Sequence, residues 1–224
     1  MPPQVAHERP AIPAADVTVR AGTAALPGQL AIPQDATGLV AFVHGSGSSR
    51  LSPRNRFVAD VLNVGRLATL LFDLLTAAEH EIDQRTGELR FDIELLTERL
   101  IGAIDWIRSE PRIAALRLGL FGASTGAAAA LNAAAERPAE IGAVVSRGGR
   151  PDLAMPALPR VQAPTLLIVG GLDEPVIGMN CRAAARIAAE WRMEIVPGAT
   201  HLFEEPGKLE QVAVLARAWF AGHL

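Results

Sequence analysis

The chain has 224 residues, of which half are hydrophobic and 20% are charged, and its formal net charge is −3. This length suits a single domain with a sizeable core, and the small net charge argues against a disordered chain and against a broad basic surface for nucleic acid. No segment approaches the roughly 18 consecutive apolar residues that span a bilayer. We therefore expect a soluble protein that binds neither nucleic acid nor membrane.

The N-terminal stretch "MPPQVAHERPAIPAAD" is rich in proline and lacks the apolar core of a signal peptide. It predicts a flexible lead over residues 1–14, a single domain over 15–224 and a cytoplasmic location. Cys181 is the only cysteine, which excludes an internal disulfide and any multi-cysteine metal site.

The first predicted elements are strands. The segments "VTVRAG" and "GQLAIP" flank a turn signal at Pro27 and Gly28 and predict a β-hairpin. Continuous apolar runs are typical of strands buried on both faces of a parallel sheet. Such runs follow at 38–43, 67–72, 116–121, 141–146, 164–170 and 193–198.

Helical patterns alternate with these strands. One helix is predicted from Ser52 as N-cap with Pro53 in the first turn. Another spans "FDIELLTERLIGAIDWIRS", which places Ile93, Leu96, Leu100, Ile104 and Ile107 on one face. Further helices are expected at about 125–136, 178–190 and 206–221. Strands that alternate with helices predict an α/β fold with a mostly parallel, doubly wound sheet.

The segment "GLFGASTGAAAA" places Ser124 between a strand and a helix, with Gly122 and Gly126 two residues away on either side. This GxSxG pattern predicts a nucleophile elbow, in which small residues let strand and helix cross closely while the serine is exposed at the strand end. The alternative interpretation is an ordinary tight turn of small residues.

A serine nucleophile needs a histidine base and an acid that orients it. Asp173 follows the next-to-last predicted strand and His201 follows the last, so the chain order is the one expected for an α/β-hydrolase triad. Alternatively, Asp173 belongs to a solvated turn and His201 caps a helix or lies in the core. Glu174, beside Asp173, is a weaker competitor for the role of the acid. The joint placement at strand ends favours the triad.

The segment "AFVHGSGSS" follows the first long strand and predicts an oxyanion hole. Acyl transfer requires backbone N–H groups aimed at the oxygen that becomes negative. The expected donors are the amides of Thr125 and Ser46, with Gly47 as the alternative to Ser46. We expect His44 to order this loop rather than to act as the base.

Three segments carry a family resemblance: "FVHGSGSSRLSPRNRFVADVLN", "LLFDLLTAAEHEIDQRTGELRFDI" and "VPGATHLFEEPGKLEQVAVLARAWF". They resemble the small bacterial α/β-hydrolases of the dienelactone hydrolase type. The resemblance implies an α/β-hydrolase fold without a large cap domain, and hydrolysis of esters or lactones without a cofactor. True dienelactone hydrolases have a cysteine nucleophile, whereas this elbow carries Ser124, and Cys181 lies too far downstream to replace it.

The remaining candidates concern substrate binding. The polar segment 76–90 is interpreted as a solvated loop, with a partial lid as an alternative. Its cluster of Glu79, His80, Glu81 and Asp83 lacks a recognised ligand spacing, so no metal is predicted. The short connection 147–163 leaves no room for a cap. The residues that could contact substrate are His44, Gly47, Arg50, Arg147 and Phe203, with surface charge as the alternative for both arginines.

These observations predict a serine hydrolase that cleaves carboxylic esters through an acyl-enzyme and acts on a small-molecule ester as a monomer or homodimer. Hydrolysis of a lactone, a thioester or a short peptide is the enzymatic alternative, because the same triad serves all of them. A binding or regulatory protein that uses this fold without hydrolysis is the alternative from another class.

Overall fold

The computed structural model describes residues 12–224, so most of the predicted flexible lead lies outside the described residues. A single sheet of eight strands runs through the described part of the chain in the order β1-β2-β4-β3-β5-β6-β7-β8. The strands are β1 (Ala14–Ala21), β2 (Ala24–Ala31), β3 (Gly38–Val43), β4 (Leu67–Phe72), β5 (Arg117–Ala123), β6 (Ile141–Arg147), β7 (Thr165–Gly170) and β8 (Trp191–Val196). The pairs β1–β2 and β2–β4 are antiparallel and all others are parallel.

Helices cover both faces of the sheet, as the alternating pattern predicts. They are α1 (Pro53–Val64), α2 (Ala77–Thr86), α3 (Ile93–Ser109), α4 (Thr125–Glu136), α5 (Glu174–Ala184) and α6 (Lys208–His223). Apolar residues of α1 and α6 pack on one face, and those of α3 and α4 pack on the other. On α3, Leu96, Leu100, Ile104 and Ile107 are buried. The carboxyl ends of the six parallel strands therefore meet at one edge, between the two helical layers.

The hairpin is present, but its turn is not at Pro27–Gly28. The turn consists of Gly22 and Thr23, and Gly22 has a φ of +59°. Glycine accepts the positive φ that two-residue hairpin loops need. Pro27 lies inside β2, where its carbonyl accepts a hydrogen bond from Asp73 N at 3.0 Å, just beyond the end of β4. A proline is tolerated there because no partner strand requires its missing N–H.

The segment 76–90 is not a solvated loop, because most of it forms α2. Thr76 Oγ1 accepts from Glu79 N at 3.3 Å and Glu79 Oε2 accepts from Thr76 N at 2.8 Å, which completes a capping box. Gly87 ends the helix with a φ of +69°. Local capping thus specifies a helix that buries little apolar surface.

The helix expected at 178–190 begins four residues earlier. Asp173 occupies the N-cap position of α5 and Pro175 lies in its first turn, an arrangement that starts a helix. The exposed Cys181 lies on this helix.

The connection between β6 and β7 contains two short 3-10 helices, Pro151–Ala154 and Leu158–Arg160, and carries no inserted domain. Among residues 12–224, no helix combines the length and the apolar character needed to cross a membrane.

We predict that Asp83→Asn loosens the segment that follows α2. Asp83 is 2% exposed, and its carboxylate accepts from Arg90 N at 2.9 Å and from Arg90 Nε at 2.8 Å. An amide removes the charge and turns one acceptor into a donor, which should lower the free energy of unfolding by about 1–3 kcal/mol. Urea unfolding measures this loss, and hydrogen exchange should show it concentrated in the segment after α2 that contains Arg90. The matched control is exposed Glu81→Gln, and equal stability of the two variants would contradict the prediction.

Candidate active site

Ser124 occupies a strained turn between β5 and α4. Its φ of 50° and ψ of −122° are unusual for a residue with a side chain. A Cβ at Gly122 would lie 2.4 Å from Ala127 Cα, and one at Gly126 would lie 2.2 Å from the Val43 carbonyl oxygen. Both glycines are therefore required by backbone contact, and the turn has the geometry of a nucleophile elbow.

His201 and Asp173 form a direct hydrogen bond. His201 Nδ1 lies 2.6 Å from Asp173 Oδ2, and the side chains are 38% and 13% exposed respectively. A carboxylate accepts from Nδ1–H, so the other ring nitrogen, Nε2, is free to accept a proton. The competing acid, Glu174, is exposed on the first turn of α5.

The turn that carries Ser124 and the turn that carries His201 meet at the end of β6. Ser124 N donates to the Arg147 carbonyl at 3.2 Å. The next residue, Gly148, adjoins the imidazole, since a Cβ there would lie 3.5 Å from His201 Nδ1 and Cε1. None of the hydrogen bonds found within residues 12–224 joins the Ser124 hydroxyl to His201. Such contacts commonly tighten only when substrate binds.

The loop after β3 lies against the start of α4. Ser46 N donates to Thr125 Oγ1 at 3.0 Å, so the two predicted oxyanion donors are neighbours but the Ser46 amide already has an acceptor. Thr125 is the first residue of α4, where backbone N–H groups lack an intrahelical acceptor. Gly47 has a φ of +70° and lies in a turn closed by Ser48 N and the Gly45 carbonyl at 3.2 Å.

His44 bridges two segments of backbone. Its Nδ1 lies 3.0 Å from the Gly45 carbonyl and its Nε2 lies 3.1 Å from Leu74 N. An amide can only donate, so Nε2 is the acceptor, Nδ1 carries the proton and the ring is neutral. Burial lowers the pKa of His44 below 6.5, although Asp73 acts in the opposite direction. This geometry suits a residue that orders the loop.

A cavity of about 310 Å³ adjoins the same loop on the side of α2. Its lining includes His44, Ser46, Arg50, Asp73, His80 and Arg90, but neither Ser124 nor His201. Asp73 accepts from the backbone N of Arg50 at 2.7 Å and also pairs with its guanidinium. Arg90 is likewise paired with Asp83. Both arginines in the wall are therefore neutralised by a carboxylate of the protein.

Arg147 and Phe203 do not face this cavity. Phe203 is 1% exposed and belongs to the core on the side of α1 and α6, so it does not line the pocket as expected. The Arg147 guanidinium lies 5.9 Å from the Phe203 ring centre, and the residue is 6% exposed. Burial lowers the pKa of Arg147 to about 10. It is neither a surface charge nor part of the cavity wall.

Two carboxylates were missed from sequence. Asp73 follows β4 directly, so the rule that singled out Asp173 at a strand end could have found it. Glu205 carries no such signal. Its two carboxylate oxygens each lie 3.1 Å from Thr200 N, and this hydrogen bonding lowers the pKa of Glu205. Glu205 thus braces the turn that carries His201.

Two acidic side chains of α2 form hydrogen bonds and ion pairs that stabilise the fold. Glu79 caps α2 and pairs with Arg99, and Asp83 pairs with Arg90. Within the described residues, no three His, Cys, Asp or Glu side chains are grouped in a way that could hold a metal ion.

Gly126→Ala should distort the elbow. The new Cβ would meet the carbonyl oxygens of Val43 at 2.2 Å and His44 at 2.5 Å, and both belong to backbone that cannot rotate away. We expect a loss of at least about 3 kcal/mol in the free energy of unfolding, measured by urea denaturation. Gly178→Ala on α5 is the matched control, since its Cβ meets only Arg182 Nη1 at an ordinary 3.5 Å. That helical substitution should stabilise by about 0.5–1 kcal/mol, and equal losses in both variants would refute the packing argument.

The buried neutral His44 should make stability depend on pH. The unfolded chain takes up a proton at this residue near pH 6.5, whereas the folded chain does so only at lower pH. Stability should therefore fall as the pH drops below about 6.5, and His44→Gln should reduce that slope. Urea unfolding between pH 5 and 8 measures it, with His223→Gln at the end of α6 as the control. A slope that survives in His44→Gln would show that other groups cause it.

Comparison with known proteins places the chain among hydrolases. The sequence profile of the dienelactone hydrolase family matches residues 67–221. A crystal structure named as a dienelactone hydrolase from Anabaena variabilis is 59% identical, covers 95% of this chain and 98% of its own, and superposes with a TM-score of 0.94. Est1E from Butyrivibrio proteoclasticus is 14% identical over 93% of this chain and 98% of its own, with a TM-score of 0.78, and shows a shared fold.

A curated relative from Mycobacterium tuberculosis bears the name "Putative phosphoribosyl transferase" and is 56% identical over 209 residues. The match covers 93% of this chain but 46% of that protein, so the chain spans about half the length of the relative. The matched family profile and the Anabaena structure, which is similar over nearly its whole length, agree on one assignment. The chain belongs to the dienelactone hydrolase family and has the α/β-hydrolase fold.

Proposed function

We propose that the protein is a serine hydrolase that cleaves carboxylic esters through an acyl-enzyme. The observation that carries the proposal is the 2.6 Å hydrogen bond between His201 Nδ1 and Asp173 Oδ2, beside the elbow that presents Ser124. A serine hydroxyl is a weak nucleophile, and a histidine held by a carboxylate is the arrangement that activates it.

The proposed reaction has two halves. Ser124 Oγ attacks the ester carbonyl while His201 Nε2 takes its proton, and the imidazolium then protonates the departing alkoxide. The alcohol leaves and the acyl group stays on Ser124. Water then attacks the acyl-enzyme, His201 accepts its proton and returns it to Ser124, and the acid is released. Asp173 remains ionised and stabilises the imidazolium in both halves.

The negative oxygen of each tetrahedral intermediate needs two donors. We assign the amides of Thr125 and Ser46, with Gly47 as the alternative to Ser46. Because Ser46 N donates to Thr125 Oγ1 in the free protein, the oxyanion would replace that hydroxyl as its acceptor. The N-terminus of α4 adds favourable positive potential at the same point.

The cavity beside the oxyanion loop is the proposed substrate pocket. Its volume of about 310 Å³ suits a small ester group. Since Arg50 and Arg90 are paired with Asp73 and Asp83, the wall favours an uncharged polar group over a carboxylate. Phe203 has no part in this pocket, and Arg147 is left without a role in binding a substrate carboxylate.

A lactone or a thioester remains the enzymatic alternative, since the Anabaena relative bears the name of a lactone hydrolase and the same residues would act on either bond. The phosphoribosyl transferase name belongs to a protein of which this chain covers 46%, and it is not carried over.

Substitution of the triad tests the mechanism. Ser124→Ala should lower the turnover of p-nitrophenyl acetate at least about a thousandfold and abolish labelling by a fluorophosphonate probe. Asp173→Asn should cost about 10⁴-fold, because the amide no longer fixes the imidazole tautomer. Glu174→Gln, one residue further along, is the matched control and should keep full activity.

Retention of most activity in Ser124→Ala would refute the nucleophile assignment. If the unaltered protein neither turns over esters, thioesters or lactones nor reacts with the probe at Ser124, the non-catalytic binding protein becomes the better interpretation.

A further inference from the structure

Strand β8 forms an open edge of the sheet. Glu190 O accepts from Thr165 N and Val196 O accepts from Gly171 N, both at 2.9 Å, so the even-numbered residues direct their backbone groups toward β7. Successive residues of a strand point these groups to opposite sides. The N–H and C=O groups of Trp191, Met193 and Ile195 therefore face outward, where the described chain supplies no further strand.

The exposed and half-buried side chains of β8 are divided by type between its two faces, whereas Val196, on the face of Arg192 and Glu194, is buried in the core on the side of α6. Trp191 and Ile195 are 44% and 47% exposed and lie with Met193 on one face, which is apolar. Arg192 and Glu194 lie on the opposite face and form an ion pair. Long exposed edge strands with apolar side chains invite pairing with another strand.

The order of these side chains suits a second copy of the same strand. In an antiparallel pair centred on Met193, Trp191 lies opposite Ile195 of the second copy and Met193 lies opposite itself. Arg192 then lies opposite Glu194 of the second copy, twice by symmetry. The odd-numbered residues of the two copies form the hydrogen-bonded pairs, as their outward-facing backbone groups require.

We propose that two copies of the chain associate through β8 into a symmetric dimer with one continuous sheet. The contact is isologous, which is the commonest symmetry of soluble homo-oligomers. It joins an apolar strip on one face to two crossed ion pairs on the other. The antiparallel pairing directs the carboxyl edges of the two sheets in opposite directions, so neither candidate active site is covered.

The neighbouring surface of α6 extends this contact. A six-residue strand alone buries less surface than the roughly 800 Å² per partner that is typical of a stable interface. Val214 on α6 is 53% exposed and shares a groove with Glu194 and Ile195. Because Val196 packs in the core with α6, Val214 lies on the face of Arg192 and Glu194 and supplies apolar area there.

Charge reversal tests the dimer without reference to catalysis. Light scattering coupled to size-exclusion chromatography should give a mass twice that of the 23.6 kDa chain. Glu194→Arg and Arg192→Glu each place like charges opposite one another and should raise the dimer dissociation constant at least tenfold. The double exchange R192E/E194R restores opposite charges and should restore the dimer, whereas Glu98→Arg, on the exposed side of α3, should leave it unchanged.

A cross-link tests the register. In a Cys181→Ser background, which removes the native thiol, Met193→Cys should oxidise to a covalent dimer because residues opposite each other lie within disulfide reach. Glu98→Cys in that background should not. A chain that is monomeric at every accessible concentration would overturn the proposal. So would a dimer that keeps its affinity in both charge reversals and fails to cross-link at 193.

Discussion

Strand β5 and helix α4 cross at Ser124 with their backbones in direct contact. The positions of the neighbouring loops at the carboxyl edge of the sheet depend on this contact. Gly126 allows the carbonyl oxygens of Val43 and His44 to approach α4, and Gly122 allows Ala127 to approach β5. The buried face of α4 is almost entirely alanine, so the helix lies flush against the sheet. This places the loop after β3 beside Thr125 and brings the end of β6 to the elbow.

Asp173 and His201, the candidate acid and base, are held by elements that give up some stability to hold them. Asp173 is the N-cap of α5, yet its carboxylate makes no capping hydrogen bond and is bound to His201 instead. A capping side chain contributes about 1 kcal/mol, which this helix forgoes. Phe203, two residues after His201, has a φ of 58°. The turn keeps its shape because Glu205 accepts from Thr200 N and Phe203 is packed in the core.

Most of the sheet could be predicted from sequence because its central strands are buried on both faces and leave uninterrupted apolar runs. The bounds predicted for β3 and β4 are those observed. The hairpin turn was misplaced because Pro27–Gly28 is a stronger local signal than Gly22–Thr23. Pro27 is acceptable inside β2 because β4 ends at Phe72, so no residue of that strand requires its missing N–H. Helix α2 was missed because Asp83 is its only buried residue, so it has no apolar stripe.

The candidate triad could be located from sequence because each member follows a parallel strand, and parallel strands end at a common edge. The direction in which a side chain points, and therefore what it contacts, could not be predicted in this way. Arg147 is the last residue of β6, so the alternation along that strand sets its direction and turns it toward α1 and Phe203 rather than toward the cavity. The position of a residue at a strand end predicts the edge of the sheet at which it lies. The face to which its side chain points changes with a shift of one residue along the strand.

Arg147 contributes to the elbow through its backbone and places its charge in the core. With a pKa of about 10 it stays protonated at neutral pH, and its buried Nε has no hydrogen-bond partner among residues 12–224. Its carbonyl accepts from Ser124 N, whereas its guanidinium lies 5.9 Å from the centre of the Phe203 ring. The N-terminus of α4 supplies positive potential at Ser124. The proposed hydrolysis would use this potential, because a negative tetrahedral intermediate gains more from it than a neutral ester and the helix need not reorganise during the reaction.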